Sequence, residues 1–268
     1  MAAKIIAVCN QKGGVGKTTT AINLAACLAT LEYRTLVVDM DAQSNATTGL
    51  GFDKDKFEAS MYDIVTERAA RDGSPIGIRD IRVSVDFMNY LDLAPATQEL
   101  AGAEIELVNE IAREKKLHTA LKQVEGEYDY IIIDSPPSLG LITVNVLSAA
   151  TSVLIPVQCE YFALEGLAAL FNTIHLVQRN LNPRLVIEGA LLTMYDGRLN
   201  LSREVAEDVR SCFHGRVFET VITRSVKLSE APSVGKPIIH YDIMSLGAKN
   251  YLSLTQEIMH NEQGGGAQ

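Results

Sequence analysis

Residues 10–20 read NQKGGVGKTTT and continue directly from the apolar run KIIAVCN. An apolar strand, a glycine-rich loop, a Lys-Thr pair and a helical pattern in this order are typical of a phosphate-binding loop. The usual spacing, G-x-x-x-x-G-K-[ST], requires a glycine five positions before Gly16, where this chain has Gln11. Lys12 is a second lysine in a loop that already has Lys17 at the phosphate position. The stretch therefore predicts a phosphate-binding loop of an unusual kind.

The glycines of this loop let backbone N–H groups surround phosphate oxygens, an approach that side chains would obstruct. The predicted phosphate-binding residues are Gly13, Gly14, Val15, Gly16, Lys17, Thr18 and Thr19. The helix that begins near Lys17 adds the positive end of its dipole. Lys17 supplies a charge to the β- and γ-phosphates, the Thr18 hydroxyl is placed to ligate Mg²⁺, and Thr19 can reach the α-phosphate.

Two further apolar runs end in carboxylates. YIIIDSPP places Asp134 at the end of a strand, where it can hold a Mg²⁺-bound water, and this signal gains weight from the glycine-rich loop. VVDMDAQSN places Asp39 and Asp41 at alternate positions, so both point to one side of the strand. Asp41 lies nearer the open end and is assigned to the metal and to orienting the attacking water, while Asp39 holds the loop from behind. The alternative for each residue is an aspartate that only forms a turn.

Short apolar runs alternate with helical patterns along the chain. The runs are RTLVVDMD (34–41), MNYLDLAPA (88–96), YDYIIIDSPP (128–137), TSVLIPVQ (151–158) and LVIEGALLTMYD (185–196). Strands that are apolar along their whole length are buried on both faces, which predicts an α/β fold with a doubly wound, mostly parallel sheet flanked by helices. Residues 52–86 are more charged and are interpreted as helical or loop decoration. We expect one domain over residues 1–261 and a disordered tail over residues 262–268.

Composition limits the classes of function. The net charge of −9 argues against a generally basic nucleic-acid binder, although a local basic patch remains open. Four cysteines without a CxxC pair predict free thiols in a reducing compartment. No basic segment precedes the first apolar strand and no apolar run approaches the roughly 20 residues of a membrane span, so we expect a soluble, cytoplasmic protein without a signal peptide.

Several stretches together resemble the ParA/Soj chromosome-partitioning ATPases, which belong to the ParA/MinD superfamily with a deviant Walker-A loop. The stretches are QKGGVGKTT, DMDAQSNATTGLG, IIIDSPPSLG, PVQCEYFALEGL, TMYDGRLNLSREV and VKLSEAPSVGKPIIHYD. The resemblance extends from Lys4 to about Ile258, nearly the whole chain. It implies a P-loop ATPase fold, with ATP and Mg²⁺ as cofactors. One departure is Ala42, where the family usually has proline, which could loosen the loop after Asp41.

The resemblance also gives the second lysine a role. In this family the equivalent lysine reaches across a dimer interface to the partner's nucleotide, so Lys12 would neutralise γ-phosphate charge in trans. Two ATP molecules would then lie between two subunits. Lys12, Lys17 and Asp41 are the predicted catalytic residues, and Thr18, Asp41 and Asp134 the predicted metal residues. The alternative for Lys12 is a solvated loop lysine.

Family members bind double-stranded DNA without regard to sequence and work with a ParB-like protein. Arg198 and Lys227 match family positions linked to DNA, and Arg224 is added because it lies in the same cation-rich region. Ordinary solvated surface charge is the alternative for each. Pro232 matches a position beside adenine, and Met194 is a weaker candidate for the same pocket. The resemblance implies nucleoid association.

Other readings stay open. The chain has no Lys/Arg-rich amphipathic helix at residues 246–268, so no membrane docking is expected. An orphan ParA-like ATPase could position protein clusters or other cargo in place of a chromosome. A nucleotide-gated DNA-binding switch with negligible turnover is a further alternative, although Lys12, Lys17, Asp41 and Asp134 together argue against it.

Overall fold

The computed structural model describes residues 2–160, 166–213 and 215–264. The strands are β1 (Lys4–Val8), β2 (Thr35–Asp39), β3 (Val83–Ser84), β4 (Leu91–Ala94), β5 (Tyr130–Asp134), β6 (Ser152–Gln158) and β7 (Val186–Thr193). The α-helices are α1 (Lys17–Thr30), α2 (Asn45–Gly49), α3 (Met61–Val65), α4 (Ile78–Ile81), α5 (Leu100–Glu106), α6 (Lys116–Lys122), α7 (Leu141–Ala149), α8 (Leu167–Asn180), α9 (Asn200–Cys212), α10 (Val226–Glu230), α11 (Ile238–Tyr241) and α12 (Leu246–Gly264). Short 3₁₀ turns include Lys54–Lys56, Leu107–Asn109, Arg113–Lys115 and Ala231–Val234.

The described strands form one sheet in the order β3-β4-β2-β5-β1-β6-β7. All its pairings are parallel except that between β3 and β4. The central strands β2 and β5 are buried along their whole length, as strands covered by helices on both faces must be. The predicted mostly parallel α/β fold is confirmed. Residues 52–86 are mostly short helices and loop, as predicted, but the segment also supplies the two-residue antiparallel edge strand β3, which was not predicted.

Apolar side chains form one cluster on each face of the sheet. One cluster joins the sheet to α1, α11 and α12, with Leu24, Leu28 and Tyr251 among its buried members. The other joins it to α3, α5, α6, α7, α8 and α9. Each buried leucine contributes roughly 1.5–3 kcal/mol relative to exposure. This packing fixes the carboxyl ends of β1, β2, β5 and β7 at one edge of the sheet, where the polar residues predicted for the site follow the strands.

The C-terminal helix extends further than the sequence predicted. The expected disordered tail began at residue 262, but α12 continues to Gly264, and the Glu262 carboxylate accepts hydrogen bonds from Lys4 (2.7 Å) and the Tyr130 hydroxyl (2.9 Å). Residues 265–268 of that tail, and 161–165 within the quoted stretch PVQCEYFALEGL, lie outside the described residues. None of the described helices is both long enough and apolar enough to cross a membrane.

Candidate nucleotide site

The loop between β1 and α1 has the shape of an anion-binding turn. Gly14 and Gly16 have φ values of 75° and 88°, in the left-handed region that favours glycine. The Thr193 hydroxyl, at the end of β7, donates a hydrogen bond of 2.9 Å to the Val15 carbonyl and so holds the loop on the sheet edge. Because α1 begins at Lys17, immediately after Gly16, its free backbone N–H groups face the concave side of this loop.

Lys17 is buried beneath the loop. Its ammonium donates a hydrogen bond to the Lys12 carbonyl across 3.1 Å. Burial lowers the pKa of Lys17, and the nearby Asp134 and Asp41 carboxylates oppose this shift. A lysine held between carboxylates and a turn of backbone carries a positive charge that lacks full hydration, so an incoming phosphate gains strongly from it.

The backbone of Lys12 is held by the Asn10 side chain, which was not predicted as a site residue from the sequence. The Asn10 amide donates a hydrogen bond of 2.7 Å to the Pro156 carbonyl, and its oxygen accepts one of 3.0 Å from the Lys12 backbone N–H. These two bonds tie the loop to the end of β6. The Lys12 side chain itself is partly exposed, while that of Lys17 is buried. The two lysines therefore occupy different environments within the same loop.

Asp134 is a buried carboxylate at the end of β5. Neither of its oxygens accepts a hydrogen bond of normal geometry from the described residues, although the Thr18 hydroxyl lies nearby. Burial and the neighbouring Asp39 carboxylate raise the pKa of Asp134 well above its ordinary value, and Thr18 and Lys17 oppose the rise. An unsatisfied buried carboxylate next to a hydroxyl suits a Mg²⁺ ion and its bound waters, since Mg²⁺ takes oxygen ligands. The residues present therefore fit the metal.

Asp39 and Asp41 have different surroundings at the end of β2. Asp39 is fully buried and accepts hydrogen bonds from the Asp41 N–H (3.1 Å), the Thr47 N–H (2.9 Å) and the Thr47 hydroxyl (2.8 Å). Burial raises the pKa of Asp39 to about 6. The prediction that Asp39 holds the loop is confirmed. Asp41 accepts a bond of 2.9 Å from the Gln43 N–H, so the loop is held by several bonds even with Ala42 in it.

A cavity of about 280 Å³ brings most of the predicted phosphate and metal residues together. Those that line it are Gly13, Gly14, Gly16, Lys17, Thr18, Thr19 and Asp41. Val15 and Asp134 are buried beneath, and the Lys12 side chain is outside this cavity. Gln43, Asn45 and Pro137 also line it, and the sequence analysis did not assign them. Gln43 and Asn45 lie two and four residues after Asp41, and this proximity was the signal in the sequence that could have identified them.

A second cavity, of about 190 Å³, lies beside the first on the β7 side. Gly16 and Thr19 contribute the edge shared with the loop, and Ile222, Leu228 and Tyr251 contribute apolar surface. Met194 lines both cavities and has a φ of 52°, an uncommon value for a residue with a side chain. The weak candidate Met194 is therefore adjacent to the loop, between the two cavities.

Pro232 lies in the 3₁₀ turn after α10 and lines neither of these two cavities. It packs near Gly49 of α2. The same region contains a close backbone contact, because a Cβ on Gly235 would lie 2.4 Å from the Gly51 Cα. Gly51 and Gly235 have φ values of 90° and 66°. The C-terminal end of α2 thus rests directly on the segment that carries Lys227 and Pro232.

The three cations predicted to contact DNA are each paired with a carboxylate. Arg198 is largely exposed and makes a bidentate pair with Asp196, at 2.9 and 2.7 Å. Arg224 lies 3.8 Å from Glu160, and Lys227 contacts Asp242. The Arg224 N–H also bonds the Tyr195 carbonyl (3.0 Å), which brings the segments of Arg198 and Arg224 side by side. These pairings were not predicted from the sequence.

A family model described as an AAA domain matches residues 3–187. The sporulation initiation inhibitor protein Soj of Bacillus subtilis is 56% identical over 96% of this chain and 99% of its own length. The chain belongs to the ParA/Soj family of chromosome-partitioning ATPases. The chromosome partitioning protein ParA of Myxococcus xanthus is 54% identical over 97% of this chain and 89% of its own length.

Among solved structures, cobyrinic acid a,c-diamide synthase of Mycobacterium smegmatis, with bound ADP and magnesium, superposes with a TM-score of 0.85. It is 35% identical and the match covers 98% of this chain and 96% of that one. The deviant Walker-A loop of this ParA/Soj chain therefore sits in a fold that a nucleotide-bound relative shares. The higher identity to Soj and ParA places the chain with the partitioning ATPases.

Proposed function

We propose that this chain is a Mg²⁺-dependent ATPase that pairs around two ATP molecules, binds DNA without sequence preference and segregates chromosomal or plasmid DNA with a ParB-like partner. The observation that carries the proposal is the buried Asp134 carboxylate, which accepts no hydrogen bond of normal geometry from the described residues and lies beside Thr18 and Lys17. A protein tolerates such a group where a cation completes it. The relatives' names and the ADP and magnesium of the solved relative add support.

In this proposal each residue of the loop has one task. The backbone N–H groups of Gly13, Gly14 and Gly16 surround the phosphates, and the Lys17 ammonium exchanges the Lys12 carbonyl for phosphate oxygens. Thr18, Asp41 and Asp134 would hold Mg²⁺ directly or through water. When bound, Mg²⁺ would supply positive charge that offsets the negative charge of the phosphates. The Asp41 carboxylate, held by the Gln43 N–H, orients the water that attacks the γ-phosphorus.

Lys12 completes the site of the other subunit. Its backbone is fixed through Asn10, yet its side chain lies outside the phosphate cavity of its own subunit. A cation delivered across an interface would neutralise the charge that develops on the γ-phosphate and would make pairing depend on the triphosphate. Arg198, Arg224 and Lys227 would contact DNA phosphates, Pro232 would lie beside adenine, and the paired form would be nucleoid-associated. Turnover is slow alone and rises with DNA and the partner.

Size-exclusion chromatography with light scattering of D41A tests this proposal. Without Asp41 the attacking water loses its orienting carboxylate, so D41A should bind ATP and Mg²⁺ but hydrolyse ATP far more slowly. The expected mass is that of a dimer with ATP and of a monomer with ADP. D86N, which removes an exposed carboxylate near β3, is the matched control. A monomer in both nucleotides, or D41A turnover at the parental rate, would contradict the proposal.

A further inference from the structure

Three large apolar side chains are exposed at and just beyond the end of α5. Ile105 is 77%, Val108 54% and Ile111 89% exposed, within seven residues. We call these three residues the α5 patch. The opposite side of this segment already supplies the core with the buried residues Leu100, Ala103 and Leu107. The patch therefore does nothing for the packing of the described chain, and grouped exposure of this kind marks an interaction surface.

The surroundings of the α5 patch are acidic. Residues 99–115 contain five glutamates and two basic residues. One of the two cations, Arg113, is occupied by the Glu114 carboxylate (3.0 Å) and the Val108 carbonyl. Glu106 and Glu110 are exposed next to the apolar side chains. The surface thus has an apolar centre and a rim with excess negative charge.

We propose that the α5 patch docks a basic amphipathic segment of the protein partner that stimulates hydrolysis. This inference rests on the proposed function for the existence of that partner. The complementary segment presents apolar side chains to Ile105, Val108 and Ile111 and Lys or Arg to the glutamates around them. A second copy of this chain fits less well, because a two-fold contact centred on the patch would bring the same glutamates face to face.

The α5 patch is connected to the catalytic edge through one close contact. A Cβ on Gly140 would lie 2.2 Å from the Glu104 Oε1 atom, so the Glu104 carboxylate rests on the backbone of Gly140. Gly140 precedes α7 and ends the loop that begins after Asp134. Pro137 of this loop lines the phosphate cavity. A segment that docks on α5 and moves Glu104 therefore changes the position of a loop between the metal carboxylate and the phosphates.

Fluorescence anisotropy with a defined probe tests the docking surface directly. The probe is a labelled 18-residue amphipathic helical peptide of Leu and Lys, and its Leu/Glu counterpart controls for charge. The full-length chain and the I105S/I111S variant are compared, with L176S as the matched control because Leu176 is 60% exposed on α8. We expect the Leu/Lys peptide to bind at least about tenfold more weakly to I105S/I111S, as the loss of two apolar anchors predicts.

Each other result decides against the surface. Equal affinity for I105S/I111S and the parent, equal weakening by L176S, or preference for the Leu/Glu peptide would overturn the proposal. Loss of the ATP-dependent dimer in I105S/I111S would overturn it in favour of a second copy as the occupant. I105S/I111S should keep its basal turnover and lose stimulation by the ParB-like protein. A parent that this protein does not stimulate would contradict the proposed function, while the peptide result alone decides the docking surface.

Discussion

The Lys17 ammonium donates a hydrogen bond of 3.1 Å to the carbonyl of Lys12, so the lysine proposed to bind its own subunit's nucleotide holds the backbone of the lysine proposed to bind the partner's. K17A removes this bond and the charge beneath the loop. A hydrogen bond to a charged group is worth about 1.5–3 kcal/mol, so ATP affinity should fall about 10- to 100-fold. Titration with a fluorescent ATP analogue measures this affinity. The control K56A, in the exposed Lys54–Lys56 turn, should bind ATP as the parent does.

K12A separates pairing from nucleotide binding. The Lys12 side chain lies outside the proposed phosphate cavity of its own subunit, so K12A should bind ATP with nearly parental affinity. The proposed ATP-dependent dimer should not form, and turnover should fall by about 10³-fold, the scale of a cation supplied in trans. Light scattering and phosphate release measure the two effects. An ATP-bound K12A dimer that hydrolyses normally would refute the shared site.

Without Mg²⁺, the free energy of unfolding of the D134N variant should depend less on pH than that of the parent. Burial raises the folded-state pKa of Asp134, so the folded protein keeps this proton after the unfolded chain has lost it. The free energy of unfolding therefore falls as pH rises from about 4 through the folded-state pKa. Asp39, with its pKa raised to about 6 by burial, acts in the same direction. The side-chain amide that D134N introduces cannot ionise and does not contribute to this loss.

Thermal unfolding in EDTA checks this expectation. The melting temperatures of D134N and the parent should be equal near pH 4. At pH 7 the melting temperature of D134N should be higher by about 3–5 °C for each unit by which folding raises the pKa of Asp134. Adding Mg²⁺ with ATP should raise the melting temperature of the parent much more than that of D134N. A constant difference across the pH range would mean that Asp134 titrates normally, and D86N reports any general effect of charge.

Removal of the Asp196 carboxylate should strengthen DNA binding. Asp196 occupies the Arg198 guanidinium with two hydrogen bonds, and Arg198 lowers the pKa of Asp196 to about 2, so the pair is charged at pH 7. D196N frees Arg198 for DNA phosphates and should raise DNA affinity by about threefold at most, because an exposed ion pair is weak. R198A should weaken binding and lower the salt slope by about one. Anisotropy with a 30-base-pair duplex at several KCl concentrations measures both, and weaker binding by D196N would exclude this role.

The backbone contact between Gly51 and Gly235 predicts an unequal pair of alanine variants. G235A places a Cβ 2.4 Å from the Gly51 Cα and also requires a left-handed φ of 66°. G73A also requires a left-handed φ, of 83°, but its added Cβ meets no atom within 4 Å. We expect a loss of about 1–2 kcal/mol for G73A and at least ~3 kcal/mol for G235A. Urea unfolding compares them, and equal losses would mean that the contact relaxes freely.

Short sequence patterns were sufficient to predict the parts of the structure that depend on interactions between residues close together in the chain. The order of strand, glycine loop, Lys17 and helix predicted a glycine turn followed by a helix, which the structure has, because glycine conformation acts over a few residues. Apolar runs identified the parallel sheet for the same reason. Asp39 holds the loop through Thr47, as its position predicted, whereas the assignment of Asp41 to the metal and the attacking water stays a prediction. The placement of Lys12 on a neighbour's nucleotide stays a prediction.

The misses depend on residues that are distant in sequence. The end of α12 is stabilised by Lys4 and Tyr130, which lie far away along the chain, so no local signal marked it. The pairs Arg224–Glu160 and Lys227–Asp242 join separate elements in the same way. The strand β3 has only two residues, too few to show a period.

The packing of α12 on α1 bears on the order in which the chain is synthesised. The Tyr251 side chain meets Thr20 at 3.2 Å, and Leu254 and Ile258 join the same apolar cluster as Leu24. The helix that follows the glycine loop therefore lacks this cover until α12 has left the ribosome. A product cut short before α12 exposes this apolar surface and becomes a substrate for chaperones or proteases.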